Sequence, residues 1–216
     1  MEVEWSVLLV KLCQGMVKSI EIFTLTLLFS LPLGLFVSFG RMAKNPILRN
    51  IIKFYISIMR GTPLILQLMV VYFGPYFIFG LPTPNRFLAT IIGFVLNYAA
   101  YFAEIYRGGI ESMEVGQYEA AKVLGYNKTQ TFIKIIFPQV IKRILPAVTN
   151  EVITLVKDTS LAFAISVSEM FTVAKAIASA QASMVPYIAA GIFYYVFNLI
   201  VAFAMEWVEI RFSYFR

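Results

Sequence analysis

Between Ser19 and Gly40 the chain carries one charged side chain, Glu21, and the stretches 64–79 and 87–103 carry none. A helix needs about 20 apolar residues to cross the hydrocarbon core. In lipid every backbone N–H and C=O must be satisfied within the protein, so such stretches cross as helices. Charged residues make up 14% of the chain, against about 25% in soluble domains. The expected fold is therefore an all-α integral membrane protein, with residues 1–216 as a single transmembrane domain.

Five transmembrane helices are predicted, preceded by an N-terminal interfacial helix. In residues 1–18, Trp5, Leu8, Leu9 and Leu12 alternate with Glu2, Glu4, Lys11 and Lys18, which suits a short helix at headgroup level. The acidic start lacks the positive charge of a cleaved signal peptide, so the first apolar segment is expected to be retained. Ser19–Gly40 is the first span, interrupted by Pro32 and Gly34. Ile51–Phe79 is the second, with a kink at Arg60-Gly61-Thr62-Pro63 and Leu64–Phe79 crossing beyond it. Phe87–Ala103 is the third, Val140–Phe171 holds the fourth, and Pro186–Trp207 is the last. The Ala- and Ser-rich segment Glu169–Met184 reads as a surface or re-entrant helix.

The net charge of +6 is bunched. Arg41, Lys44, Arg49 and Lys53 fill one loop, and residues 107–143 hold a second basic group. Lys and Arg favour cytoplasmic loops, so both loops are placed inside, the N-terminus outside and the C-terminus inside. Lys11 and Lys18 then fall outside, against the trend. No basic run interleaved with aromatics lies outside the apolar segments, which argues against a nucleic-acid partner. With no histidine and one cysteine, Cys13, the chain lacks the usual general base, the usual zinc ligand and any internal disulfide. No catalytic residue and no metal site is expected.

Polar groups inside the apolar segments mark candidate sites, because they are costly in lipid unless they face the bundle interior or a water-filled cavity. On a helical wheel Asn150, Glu151, Thr154, Lys157 and Asp158 fall within an arc of about 120°. Lys157 could neutralise Glu151 or Asp158. Thr90, Asn97, Tyr101 and Glu104 form a weaker stripe, in which Asn97 and Tyr101 fit a polar path or a helix–helix hydrogen bond. Gly191, Tyr194 and Asn198 share a face that reads as packing. Glu21 is expected to pair with Lys18.

Between the third and fourth spans lies a polar, basic, helix-forming island, Gln117 to Pro138. Its spacing of Glu119-Ala120-Ala121, Gly125, Ile135 and Phe137-Pro138 resembles the loop shared by permease subunits of bacterial ABC importers, with Phe137 where the family has Leu. Arg60-Gly61-Thr62-Pro63, Glu104-Ile-Tyr-Arg107-Gly108-Gly109-Ile110, Gly116-Gln117 and Lys157-Asp158-Thr159-Ser160-Leu161 resemble the polar amino-acid (histidine, glutamine, arginine) branch. The similarity runs from about Gly15 to the end.

The resemblance implies a cytoplasmic coupling-helix loop at about 107–140. Gln117, Glu119, Ala120, Ala121, Leu124, Gly125 and Pro138 would contact a cytoplasmic ABC ATPase, present in two copies. Ala120 and Ala121 would leave small side chains on one helix face for close approach, Gly125 would make a turn at positive φ, and Pro138 would restart a helix. The chain itself would bind no cofactor; ATP and Mg would sit on the ATPase. The further partners implied are a second permease subunit, as a homodimer, and an extracytoplasmic amino-acid-binding protein. A polar L-amino acid, basic or glutamine, would be imported across the bacterial cytoplasmic membrane by alternating access. Asn97, Tyr101, Asn150, Glu151, Thr154, Lys157, Asp158, Ser160 and Leu161 would line its site. Glu151 and Asp158 would accept the ammonium, and Asn150, Ser160 or backbone amides would meet the carboxylate. The competing reading is an ion-gradient-driven secondary transporter or gated channel, with intramembrane acids relaying protons. The chain has no phosphate-binding Gly-rich Lys-Ser/Thr loop of its own.

Overall fold

The computed structural model describes residues 5–212, so Glu2, Glu4 and Arg216 lie outside the described residues. The described chain is helical, in the order α1 (Trp5–Arg41), α2 (Pro46–Gly61), α3 (Leu64–Phe79), α4 (Arg86–Glu111), α5 (Val115–Val123), α6 (Lys128–Thr131), α7 (Phe137–Asp158), α8 (Met170–Gln181) and α9 (Val185–Phe212). A π turn, Phe132–Ile136, leads into α7, and a 3₁₀ segment, Thr159–Ile165, follows it. Among the described residues α1, α4 and α9 are each long and apolar enough to cross a membrane. Two bent pairs bring the count to five if each is one broken span: α2 with α3, at 112°, and the run Lys128–Ile165, from α6 through α7 and its 3₁₀ extension, with α8, at 58°.

α1 departs from the expected interfacial helix plus span. It is a single helix of 37 residues, about 55 Å at 1.5 Å per residue, against a core about 30 Å thick. Nothing between Lys18 and Ser19 breaks it, and Lys18 pairs with Glu21 at 2.7 Å across the expected boundary. Its first turns are held by tertiary contact, Leu8 and Leu12 packing with Met170, Ala174 and Ala190. One stripe of mainly small residues, including Ser19, Thr26, Ser30, Gly34 and Ser38, is buried along its length and lets α1 lie close against α4 and α8.

The second apolar stretch is broken rather than kinked. Thr62 is extended at φ −123°, ψ 149° and Pro63, also extended, precedes α3, so the 112° turn lies at Gly61-Thr62-Pro63. A proline lacks the N–H that would continue α2. α4 also runs further than expected. Arg107 pairs with Glu104 at 2.6 Å and with Glu111, pairs at helical spacing that support another turn. The polar connection is therefore 112–136 rather than 107–140.

The main core joins α1, α4 and α7 around Ile22, Phe94, Tyr98, Phe102, Val152, Leu155 and Val156. α4 and α7 run antiparallel. At one end Tyr98 Oη donates to Asp158 Oδ2 at 2.7 Å. At the other, Gly109 is the only residue type that fits: an added Cβ would run into Ile144 and lie 3.2 Å from Val140 Cγ1. These two anchors set the register and bring residue 151 level with residue 104.

Candidate functional site

The polar stripe of α7 lies on an open face. Asn150, Thr154 and Lys157 are exposed, and Glu151 and Asp158 are half-buried beside them. Among the described residues neither acid has an ion-pair partner and Lys157 bridges to neither, so the expected neutralising pair does not form. Asp158 takes its one hydrogen bond from Tyr98, and Ser160 Oγ donates to the Lys157 carbonyl at 2.7 Å. Leu161 packs against the core.

The α4 stripe divides in two. Asn97 is 5% exposed, and its Nδ2 donates to the Met59 carbonyl and to Gln67 Oε1, both at 3.0 Å. Gln67 Nε2 in turn donates to the Met59 and Thr62 carbonyls at 3.0 and 3.1 Å and to Thr62 Oγ1 at 2.8 Å. The two amides satisfy the backbone freed where α2 ends and fix the break onto α4, which is how lipid-depth chain breaks are tolerated. Both N–H groups of Asn97 are thus taken up by structure. Thr90 likewise donates to the Arg86 carbonyl. Tyr101 and Glu104, one and two turns further along the same face, meet the arginine in the last turn of α2. Arg60 lies over the Tyr101 ring at 5.3 Å and 4.0 Å from Glu104, which Arg107 and Arg41 also approach, at 2.6 and 3.5 Å.

A second polar constellation ties the bend before α8. Glu169 is fully buried and caps α8, its carboxylate accepting from Phe171 N, Thr172 N and Thr172 Oγ1, each at 2.7 Å, and from Tyr194 Oη at 2.9 Å. Ser19 Oγ accepts from Met170 N at 3.3 Å. Three helices, α1, α8 and α9, meet here, and Tyr194 is a participant rather than inert packing. Gln67, Tyr98 and Glu169 had no role assigned from the sequence. Gln67 is the lone amide of an apolar stretch and was findable on that ground; Tyr98 sits off the stripe and was not.

At the opposite end of α7 the island folds as two short helices around Gly125. Gly125 has φ 80°, and the amides of Gly125 and Tyr126 return to the carbonyls of Lys122 and Ala121 at 3.0 Å each, a left-handed helix ending that glycine adopts without strain. Asn127 and Gln130 form a reciprocal capping box on α6. Ala121 is buried at 1% while Ala120 is exposed. Adjacent residues lie 100° apart on a helix, so the two alanines cannot share a face: Ala121 seats α5 on the protein and Ala120 looks outward. Gln117, Glu119 and Leu124 are exposed with Ala120, Leu124 at 72%. Pro138 stands in the first turn of α7 and, with Gln117, lines a cavity of about 720 Å³. The π turn before it, a geometry common at functional sites, has no signal in the residue pattern.

Residues 30–214 match the family described as binding-protein-dependent transport system inner membrane components. The chain belongs to this family. It is 39% identical over 195 residues to the L-cystine transport system permease protein of Bacillus subtilis (strain 168), covering 88% of this chain and 80% of that one. It is 36% identical over 197 residues to the arginine transport system permease protein of the same organism, covering 91% and 90%. A crystal structure of an amino acid ABC transporter with histidines superposes with TM-score 0.87 at 30% identity, over 98% of this chain and 100% of that chain. The helical architecture is thus that of an ABC permease. The chain is the inner-membrane permease subunit of an amino-acid ABC importer, and ATP hydrolysis lies on a separate subunit. A permease of this family works with an ATPase and a substrate-binding protein.

Proposed function

We propose that this permease imports basic L-amino acids, arginine or lysine before histidine or glutamine, by alternating access. The observation that carries the reading is the pair Glu151 and Asp158. Two acids two turns apart on one face of a membrane helix, with no cation paired to either among the described residues, leave negative charge for a ligand to meet. A basic amino acid brings two cations, its α-ammonium and its side chain. On a helix rising 1.5 Å per residue the two acids are offset by about 10.5 Å, a spacing that an extended cationic side chain bridges. Asn150, Thr154 and Lys157 complete the open face, with Tyr101, Ser160 and Leu161 at its margins.

The open face is closed by an identical subunit, and each permease takes one of two ATPase copies on Gln117, Glu119, Ala120, Leu124 and Gly125. ATP and Mg bind the ATPase. Closure of the ATPase dimer moves α5 and α6 as a lever, and α7 carries the displacement from Pro138 directly to Glu151 and Asp158. The island and the C-terminus face the cytoplasm and the N-terminal end of α1 faces outward, where an extracytoplasmic binding protein delivers the amino acid.

The test is equilibrium binding of arginine, lysine and glutamine to the purified permease–ATPase complex carrying Glu151→Gln or Asp158→Asn. Each variant is expected to weaken the basic ligands at least tenfold and to leave glutamine within about twofold. Unchanged arginine and lysine affinity in both variants would refute the assignment.

A further inference from the structure

A basic amino acid also carries an α-carboxylate, and the groups expected to meet it are poorly placed. Ser160 Oγ already donates to the Lys157 carbonyl, and Asn150 is neutral. Arg60 is a cationic candidate on another helix. It belongs to Arg60-Gly61-Thr62-Pro63, the motif at the end of α2, whose last three residues make the break and whose first has no part in it.

The guanidinium carbon of Arg60 lies over the Tyr101 ring, 5.3 Å from its centroid, a cation–π contact. Its one ion pair is with Glu104, at 4.0 Å, the outer limit of such a contact. Glu104 is held more closely by Arg107, which donates to it at 2.6, 3.1 and 3.2 Å. Among the described residues the Arg60 guanidinium donates no hydrogen bond, although it has five N–H groups in a planar fork. The α4–α7 register brings Glu151 level with Glu104, the residue that Arg60 approaches. An arginine with free donors therefore stands at the level of the nearer acid, on a different helix. Lys157 is the other cation, but it sits beside Asp158 at the far end.

We infer that Arg60 binds the α-carboxylate of the transported amino acid, with Glu151 taking the adjacent α-ammonium and Asp158 the cationic side chain. The inference rests on the basic-amino-acid reading of that site. α-Carboxylate and α-ammonium are neighbours in the ligand, and the register sets Arg60 and Glu151 at one level. The side chain then points along α7 toward Asp158. A guanidinium fork matches a carboxylate in bidentate fashion, which an ammonium cannot do. Arg60 would thereby reject amines of the same shape that lack the carboxylate.

The experiment compares arginine with agmatine, its decarboxylated form, by titration calorimetry on the purified permease–ATPase complex. The wild-type complex is expected to prefer arginine. Arg60→Gln is expected to cut that preference roughly 10- to 100-fold, the size of a lost charge-assisted bidentate contact, with agmatine affinity unchanged or raised. A merely structural role for Arg60 would weaken both ligands together and leave their ratio alone. Arg60→Lys keeps the charge without the fork and is expected to cut the ratio at least threefold, which decides the matter if Arg60→Gln does not assemble. An arginine-to-agmatine ratio unchanged in the variants overturns the inference while leaving the substrate reading intact. A wild-type complex that binds no basic amino acid overturns both.

Discussion

Removing the Glu169 carboxylate is the most informative structural perturbation, because so much converges on one buried group. In Glu169→Ala the two backbone N–H groups of Phe171 and Thr172 lose their acceptor, and both hydroxyls of Thr172 and Tyr194 lose theirs. The hydroxyls can turn, Tyr194 toward Ser19 Oγ at 3.5 Å, but the amides cannot. Loss of a helix cap costs about 1 kcal/mol, and each buried donor left unmatched costs about 1–3 kcal/mol. Relief from burying a charge without a cation offsets part of this. The net destabilisation expected is about 2–4 kcal/mol, or a fall in Tm of about 5–12 °C for a chain of this size. Glu169→Gln keeps the shape and one acceptor oxygen and should lose only about 2–4 °C on the same scale. Thermal unfolding of the detergent-purified permease–ATPase complex reads both, and a Glu169→Gln/Tyr194→Phe cycle should show coupling of about 1 kcal/mol. A Tm for Glu169→Ala within about 1 °C of wild type would refute the reasoning, since it would mean that the buried cap carries no stability.

Two further outcomes follow from the backbone. Gly125→Val places a β-branched residue at φ 80°, a conformation costing at least about 1–2 kcal/mol; membrane insertion should survive while amino-acid stimulation of ATP hydrolysis falls severalfold in proteoliposomes. Gly109→Val pushes a side chain into Ile144 and Val140, and an overpacked contact of this kind should cost about 1–3 kcal/mol, visible as a lower Tm and displaced α4–α7 register.

The fold was legible wherever it depends on composition and spacing. Apolar length located the crossings, Gly61-Thr62-Pro63 located the break, and the glycine spacing of the island located its turn. What could not be read is tertiary. Residues 5–18 look interfacial by their charges, yet Leu8 and Leu12 find a buried place on α8 and α9, and that contact extends α1. The size of the bend between α2 and α3 depends on Gln67 and Asn97 reaching across it from separate helices. Ala120 and Ala121 look equivalent in sequence and are opposite in space. The stripe of Glu151 and Asp158 was visible from periodicity alone. The absence of a bridge from Lys157 was not, because neighbouring opposite charges on a wheel need not meet.

In the proposed function the island is the lever through which a partner ATPase drives amino-acid movement past Glu151 and Asp158. This role is tested most directly by reconstituting the permease with and without its ATPase and binding protein in liposomes, and measuring amino-acid uptake together with ATP hydrolysis. Uptake of basic amino acids is expected only in the complete, ATP-supplied system, with hydrolysis stimulated by the loaded binding protein and both activities abolished together by Ala120→Glu. Uptake by the permease alone under an ion gradient, indifferent to ATP and to Ala120→Glu, would contradict it.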